Sequence, residues 1–118
     1  MPLSVLFVDD EDDLREIVVD ALAAQGFAVT TARNGLEAIA CLRSEAQFSI
    51  VVTDYSMPEG VSGLDVASEA AAMQPNARIL LASGYSRSQL PALPENVHFL
   101  SKPYRFKQLI AAIHDQLS

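Results

Sequence analysis

Five short apolar runs alternate with stretches of helical periodicity along this chain, and that alternation restricts its fold more than any other feature. Residues 3–8, 27–31, 49–53, 78–82 and 97–100 are short, apolar and partly β-branched, as buried strands are. After the first of them, Leu14, Ile17, Val18, Ala21 and Leu22 fall at amphipathic-helix spacing. Acids crowd the start of that helix and Gly26 stands where it should stop. Leu36, Ile39 and Leu42 mark a second helix, before which Asn34 and Glu37 read as a capping box with Asn in place of Ser or Thr. Residues 64–73 make an Ala-rich third helix that closes before Pro75, and Phe106, Leu109, Ile110, Ile113 and Leu117 mark the last one. Strands alternating with helices imply a parallel sheet covered on both faces, with right-handed crossovers. In 118 residues this is one domain, residues 1–118, with short loops.

The stretch from Tyr85 to Asn96 breaks the pattern. Leu90, Pro91, Ala92, Leu93 and Pro94 cannot continue a helix, because a proline lacks the N–H and clashes with the preceding turn. About one helical turn, residues 86–90, is left for a fourth helix.

In open parallel sheets, chemistry gathers beyond the carboxyl ends of the strands. Here those ends carry Asp9 and Asp10, Asp54, Ser83 and Lys102. Three carboxylates brought together would repel unless a cation sits among them, and Mg²⁺ suits an all-oxygen site. A carboxylate beside Mg²⁺ is a usable nucleophile toward phosphorus. A lysine and a hydroxyl can neutralise the remaining phosphoryl oxygens. The set therefore suits phosphoryl transfer onto an aspartate.

Charge agrees with a cation site. The net charge is −7, and five of the fifteen acids are the consecutive residues 9–13. Such a chain lacks the basic stripe that nucleic acid or an anionic membrane needs, so neither is an expected partner. One cysteine, Cys41, allows no internal disulfide. With no secretory signal and no apolar run of membrane-crossing length, the cytoplasm is the expected location.

The motifs Val8-Asp9-Asp10-Glu11, Asp54-Tyr55-Ser56-Met57-Pro58, Ala82-Ser83-Gly84-Tyr85 and Lys102-Pro103-Tyr104 resemble those of bacterial response-regulator receiver domains, in order and at the ends of successive strands. The resemblance spans the whole chain. It implies a flavodoxin-like, doubly wound α/β fold with strand order 2-1-3-4-5, here with a short or irregular fourth helix. It implies that Asp54 is the phosphoacceptor. Asp10 is then a direct Mg²⁺ ligand, Asp9 an acid holding the metal largely through water, and Ser56 a ligand through its backbone carbonyl. Ser83 matches the switch hydroxyl, Lys102 the lysine that pairs with phosphoryl oxygens, and Pro103 the proline that follows it through a cis bond. Phe99 stands at the switch aromatic position, and Tyr85 could share or compete for the same cavity. Gly63 matches the loop-closing glycine, although the loop before it holds one residue more than the common form.

The implied partner is a histidine kinase or histidine phosphotransferase as phosphoryl donor, with an unspecified protein target downstream. Two other classes compete. Aspartate-nucleophile phosphatases share the fold and the metal, but they place a second Asp where this chain has Ser56, so turnover should be poor. A receiver-like module working unphosphorylated would not need the complete set of acceptor residues. The domain could stand alone or belong to a hybrid histidine kinase. His98 and His114 lack ligand spacing to Cys41, which argues against zinc. Asp12 and Asp13 read as solvated acids at a helix start.

Overall fold

The computed structural model describes residues 3–57, 60–93 and 96–117. Strands β1 (Ser4–Val8), β2 (Ala28–Ala32), β3 (Ile50–Asp54), β4 (Arg78–Ser83) and β5 (Val97–Ser101) form one parallel sheet in the order β2-β1-β3-β4-β5. Helices α1 (Asp12–Ala24), α2 (Gly35–Arg43) and α3 (Gly63–Met73) link the first four strands, and α4 (Phe106–Leu117) follows β5. The parallel sheet is the one expected from the alternation, and its strand order is the one the resemblance implied.

The core lies in two layers, one on each face of the sheet. Leu6, Val8, Val51, Ile79, Leu81 and Val97 pack against Ala38 and Leu42 of α2 and Val66, Ala67 and Ala70 of α3. Val5, Phe7, Ile50, Val52 and Leu80 pack against Val18 and Leu22 of α1 and Leu109 and Ile113 of α4. Successive residues of β1, β3 and β4 thus enter opposite layers, as the period of two in a strand requires. β3 is central and all five of its residues are buried. β2 lies at an edge, and its alternating exposure reflects one face left to solvent.

Local chemistry sets the helix ends. Gly26 has φ +91°, the left-handed conformation that stops α1. Ser62 and Asp65 form a full capping box on α3: the serine hydroxyl accepts from the Asp65 N–H at 3.3 Å, and the Asp65 carboxylate accepts from the Ser62 N–H at 2.9 Å. Asn34 caps α2 by accepting from the Glu37 N–H at 2.9 Å, but the returning half of that box is displaced. The Glu37 carboxylate accepts from the backbone N–H of Arg33 at 2.8 Å and from its guanidinium instead. At α1 the N-cap is Glu11, which makes no side-chain cap bond; Asp12 and Asp13 occupy the first turn, where acids suit the helix dipole.

Between β4 and β5 the described residues form one 3-10 turn, Arg87–Gln89, in place of a fourth helix. Leu90 then turns extended, with φ −93° and ψ 156°, as a residue preceding proline must. Pro94 of the same run lies outside the described residues. Leu90 and Leu93 reach back onto the α2–α3 core layer, so apolar contact ties this segment to the core.

A buried glutamine, which carried no signal in the sequence, holds the α2–β3 connection. Gln74 is 3% exposed. Its carbonyl accepts from the Phe48 N–H at 2.8 Å, and its amide donates to the Ala46 and Leu42 carbonyls at 2.8 and 3.3 Å.

Candidate functional site

The residues singled out at the strand ends lie at or just beyond the last rung of the sheet ladder, where backbone hydrogen bonds hold the chain. The Asp9 N–H donates to the Ala32 carbonyl at 3.1 Å, Tyr55 to Ala82 at 2.8 Å, and Lys102 to Ser83 at 2.8 Å. Asp54 closes β3 and Ser83 closes β4. The topology thereby gathers Asp9, Asp10, Asp54, Ser83 and Lys102 on one rim.

Asp9, Asp10 and Asp54 each offer a carboxylate oxygen, and these oxygens lie within 4.8 Å of one another. Asp9 and Asp54 are buried, at 1% and 8% exposure, while Asp10 is open to solvent. The Lys102 ammonium reaches across from the end of β5, 3.0 Å from Asp54 Oδ2 and 3.4 Å from Asp9 Oδ2. Arg15 adds a second cation, one that no sequence motif marks. Its guanidinium donates to the Asp9 carbonyl at 2.7 Å and pairs with Asp12. The role of Arg15 follows only from the turn that α1 makes past Asp9. Asp9 Oδ1 also accepts from the Glu11 N–H at 2.9 Å, which fixes its orientation.

Burial pushes the Asp54 carboxyl above its usual range; Lys102 opposes that rise, and the Asp9 and Asp10 charges reinforce it. Burial alone would lower the Lys102 ammonium, but the carboxylates of Asp54 and Asp9 outweigh it and hold the lysine protonated. Tyr104 is raised by burial and then by the neighbouring acids, so it stays a neutral phenol beside the site. One ammonium thus faces three carboxylates, and an all-oxygen set short of positive charge fits a hard divalent cation.

The remaining residues divide by position. Ser83 is buried, and its Oγ accepts from the Tyr85 N–H at 3.0 Å. Phe99 is half-buried on β5, opposite Leu81 in the register. Tyr85 is 53% exposed and sets its ring against Tyr55, centroids 6.2 Å apart at 87°, so it lies on the surface and is not buried in a switch cavity. Ser56 is exposed. Pro58 of the same motif lies outside the described residues. The Lys102–Pro103 bond is cis, as the resemblance implied.

Gly63 opens α3 directly against the end of β3. Its N–H donates to the Tyr55 carbonyl at 2.9 Å, and a Cβ there would lie 2.2 Å from the Asp54 carbonyl oxygen. Only glycine permits that approach.

Comparison with known proteins agrees with this arrangement. A family model described as the response regulator receiver domain matches residues 5–114. The chain is 32% identical over 116 residues to the response regulator receiver protein CpdR of Brucella abortus (strain 2308), covering 96% of this chain and 95% of that protein. It is 34% identical over 119 residues to the sensor kinase CckA of the same organism, covering 97% of this chain but 12% of the kinase. The crystal structure of the response regulator TrrA from Thermotoga maritima, in complex with Mg²⁺-BeF, matches with TM-score 0.83 and 32% identity over 98% of this chain and 99% of that one. Shared fold and a match over nearly the full length make this chain a member of the response regulator receiver domain family, the phosphoacceptor signalling modules of two-component systems.

Proposed function

We propose that this chain accepts a phosphoryl group on Asp54 from the phosphohistidine of a histidine kinase or histidine phosphotransferase, and that the acceptance changes a protein-binding surface. The observation that carries this reading is the buried Asp54 carboxylate, 3.0 Å from the Lys102 ammonium and grouped with Asp9 and Asp10. A carboxylate oxygen of Asp54 forms the new P–O bond as the donor P–N bond breaks, and the departing imidazole takes up a proton. Lys102 pairs with one phosphoryl oxygen and the Ser83 hydroxyl donates to another. Asp9, Asp10, Asp54 and the Ser56 carbonyl would hold Mg²⁺. When bound, the ion screens repulsion between the carboxylates and the incoming phosphoryl oxygens. Phe99 is the aromatic that responds to Ser83, while Gly63 and Pro103 shape the loops on either side.

Ser56 supplies no carboxyl where a phosphatase would need its general acid, so the chain acts on itself and not as a turnover enzyme. Similarity along nearly all of CpdR supports a single-domain regulator, and similarity to a short part of CckA supports the receiver segment of a hybrid kinase. No helix among the described residues is long and apolar enough to cross a membrane, and the proposed location is the cytoplasm.

The test is intact mass measurement after incubation with a small phosphodonor and Mg²⁺. The native protein should gain one phosphoryl group and Asp54→Asn should gain none. No adduct on the native protein with any donor would overturn the reading.

A further inference from the structure

We propose that Tyr55 and Tyr85 are positioning residues for Ser83, forming a two-ring latch that holds the serine hydroxyl away from the phosphoryl site until that site is filled. The inference rests on the reading of Asp54 and Ser83 given above, and adds two residues to it.

The two tyrosines follow the two strands that carry the chemistry. Tyr55 comes directly after Asp54, and Tyr85 two residues after Ser83. Tyr55 is the fixed member. Its N–H donates to the Ala82 carbonyl at 2.8 Å, its carbonyl accepts from the Gly63 N–H at 2.9 Å, and its ring packs on the α2–α3 core layer. Tyr85 is the movable member, 53% exposed and entering a segment with a single 3-10 turn. The rings meet edge to face. The Tyr85 N–H holds Ser83 Oγ at 3.0 Å, and Ser83, though buried, makes no side-chain hydrogen bond to Asp54 or Lys102. The ring contact and the hydroxyl therefore share one short piece of backbone, Ser83-Gly84-Tyr85. A Cβ at Gly84 would meet no atom within 4 Å, so the space beside the middle residue of this piece is open if the rings part.

A contact made in only one of two states shifts their equilibrium by what that contact contributes. Edge-on aromatic pairs contribute a factor of about two to twelve beyond the area they bury. Loosening the latch should make engagement of Ser83 easier by that factor.

The experiment measures beryllofluoride binding, with Mg²⁺, by NMR on the full chain. Tyr85→Leu and Tyr55→Leu should each bind about two- to twelve-fold more tightly than the native protein, and the double variant no more tightly than the better single. Tyr85→Phe keeps the ring and should match the native protein. Without beryllofluoride, the Ser83 and Phe99 amide shifts of the Leu variants should move along the line toward their bound positions. Unchanged or weaker binding by Tyr85→Leu, or additive gains in the double variant, would overturn the latch. Tyr85→Leu carries the decision if Tyr55→Leu disturbs folding, because Tyr85 lies on the surface. Failure of the native protein to bind beryllofluoride at all would instead refute the reading of Asp54.

Discussion

Replacing Gly63 by alanine tests whether the start of α3 is built against the end of β3. A Cβ at position 63 would lie 2.2 Å from the Asp54 carbonyl oxygen, 2.7 Å from Tyr55 Cα and 2.8 Å from Leu81 Cδ1. Favourable contacts between heavy atoms begin near ~3.5 Å. Leu81 can turn its methyl aside. The other two neighbours are backbone at the end of the central strand, held to β4 by the ladder and by the Tyr55 N–H to Ala82 carbonyl bond, and cannot. The helix must therefore retreat by roughly 1 Å to restore contact distance, which stretches the 2.9 Å bond from the Gly63 N–H to the Tyr55 carbonyl. Overpacking costs about 1–3 kcal/mol, and the weakened bond adds about 1. The expected loss is about 2–4 kcal/mol, or a fall in Tm of about 8–16 °C at about 4 °C per kcal/mol. Urea and thermal unfolding followed by circular dichroism would measure it. Two alanine controls set the scale. Gly84 has open space and an ordinary φ, so its variant should stay within about 0.5 kcal/mol of the native protein. Gly26 has open space but φ +91°, so its variant should lose about 1–2 kcal/mol. If Gly63→Ala were as stable as Gly84→Ala, the close approach that positions Asp54 would not exist.

Two further perturbations probe the interior. Gln74→Leu leaves the Phe48 N–H and the Ala46 and Leu42 carbonyls without their partner in a buried place, and should cost about 2–4 kcal/mol by urea unfolding. Asp54→Asn should change the dependence of stability on pH. The Asp54 carboxyl is raised in the folded state, chiefly by burial, so the native protein loses stability as pH rises from the ordinary carboxylate range through the raised value. The Asn variant lacks that loss. Its Tm should exceed the native value above this window and converge on it below; a gap that persists at acid pH would refute the assignment of the effect to Asp54 ionisation.

The strand-and-helix order, and the gathering of acids with Lys102, were legible because both depend on short-range pattern and chain order. Apolar runs locate strands within a residue or so, and parallel order then brings their carboxyl ends together whatever the side chains do. The stop at Leu90 was legible because proline acts on its immediate neighbours. Gln74, Arg15 and the Tyr55–Tyr85 pair were not. Gln74 acts on residues 26 to 32 positions away, and no local pattern encodes which carbonyls a buried amide will meet. Arg15 reads as an ordinary charged residue of an amphipathic helix until the fold turns it toward Asp9. The box at Asn34 failed in half because Glu37 had a stronger local option, the Arg33 guanidinium, than the backbone N–H of Asn34. Residues 9–13 split in the same way: Asp9 and Asp10 enter the cluster, while Asp12 and Asp13 remain on the first turn of α1.

The period of two in the strands also explains how a change at Asp54 can reach a surface. Asp54 shares its side of β3 with Ile50 and Val52, in the layer under α1 and α4. Ser83 shares its side of β4 with Ile79 and Leu81, and Phe99 its side of β5 with Val97, in the layer under α2 and α3. Asp54 and the residues proposed to respond to it therefore stand on opposite faces, although Asp54 is paired with Ala82, the neighbour of Ser83. On the proposed function, a Ser83 hydroxyl drawn toward a group on Asp54 would pull its strand end across that divide, and whatever is tied to Ser83 would move with it. Here that is the segment after β4, which Leu90 and Leu93 hold to the core. Turning a population from 1:99 to 99:1 takes about 5.5 kcal/mol. Two half-buried leucines and one 3-10 turn resist displacement less than an amphipathic helix of three turns would, since each fully buried leucine is worth about 1.5–3 kcal/mol. On the proposed function, the short 3-10 segment would lower the resistance on the side of Ser83. The part of the fold that departs furthest from the regular pattern is thus the part best placed to report the state of Asp54.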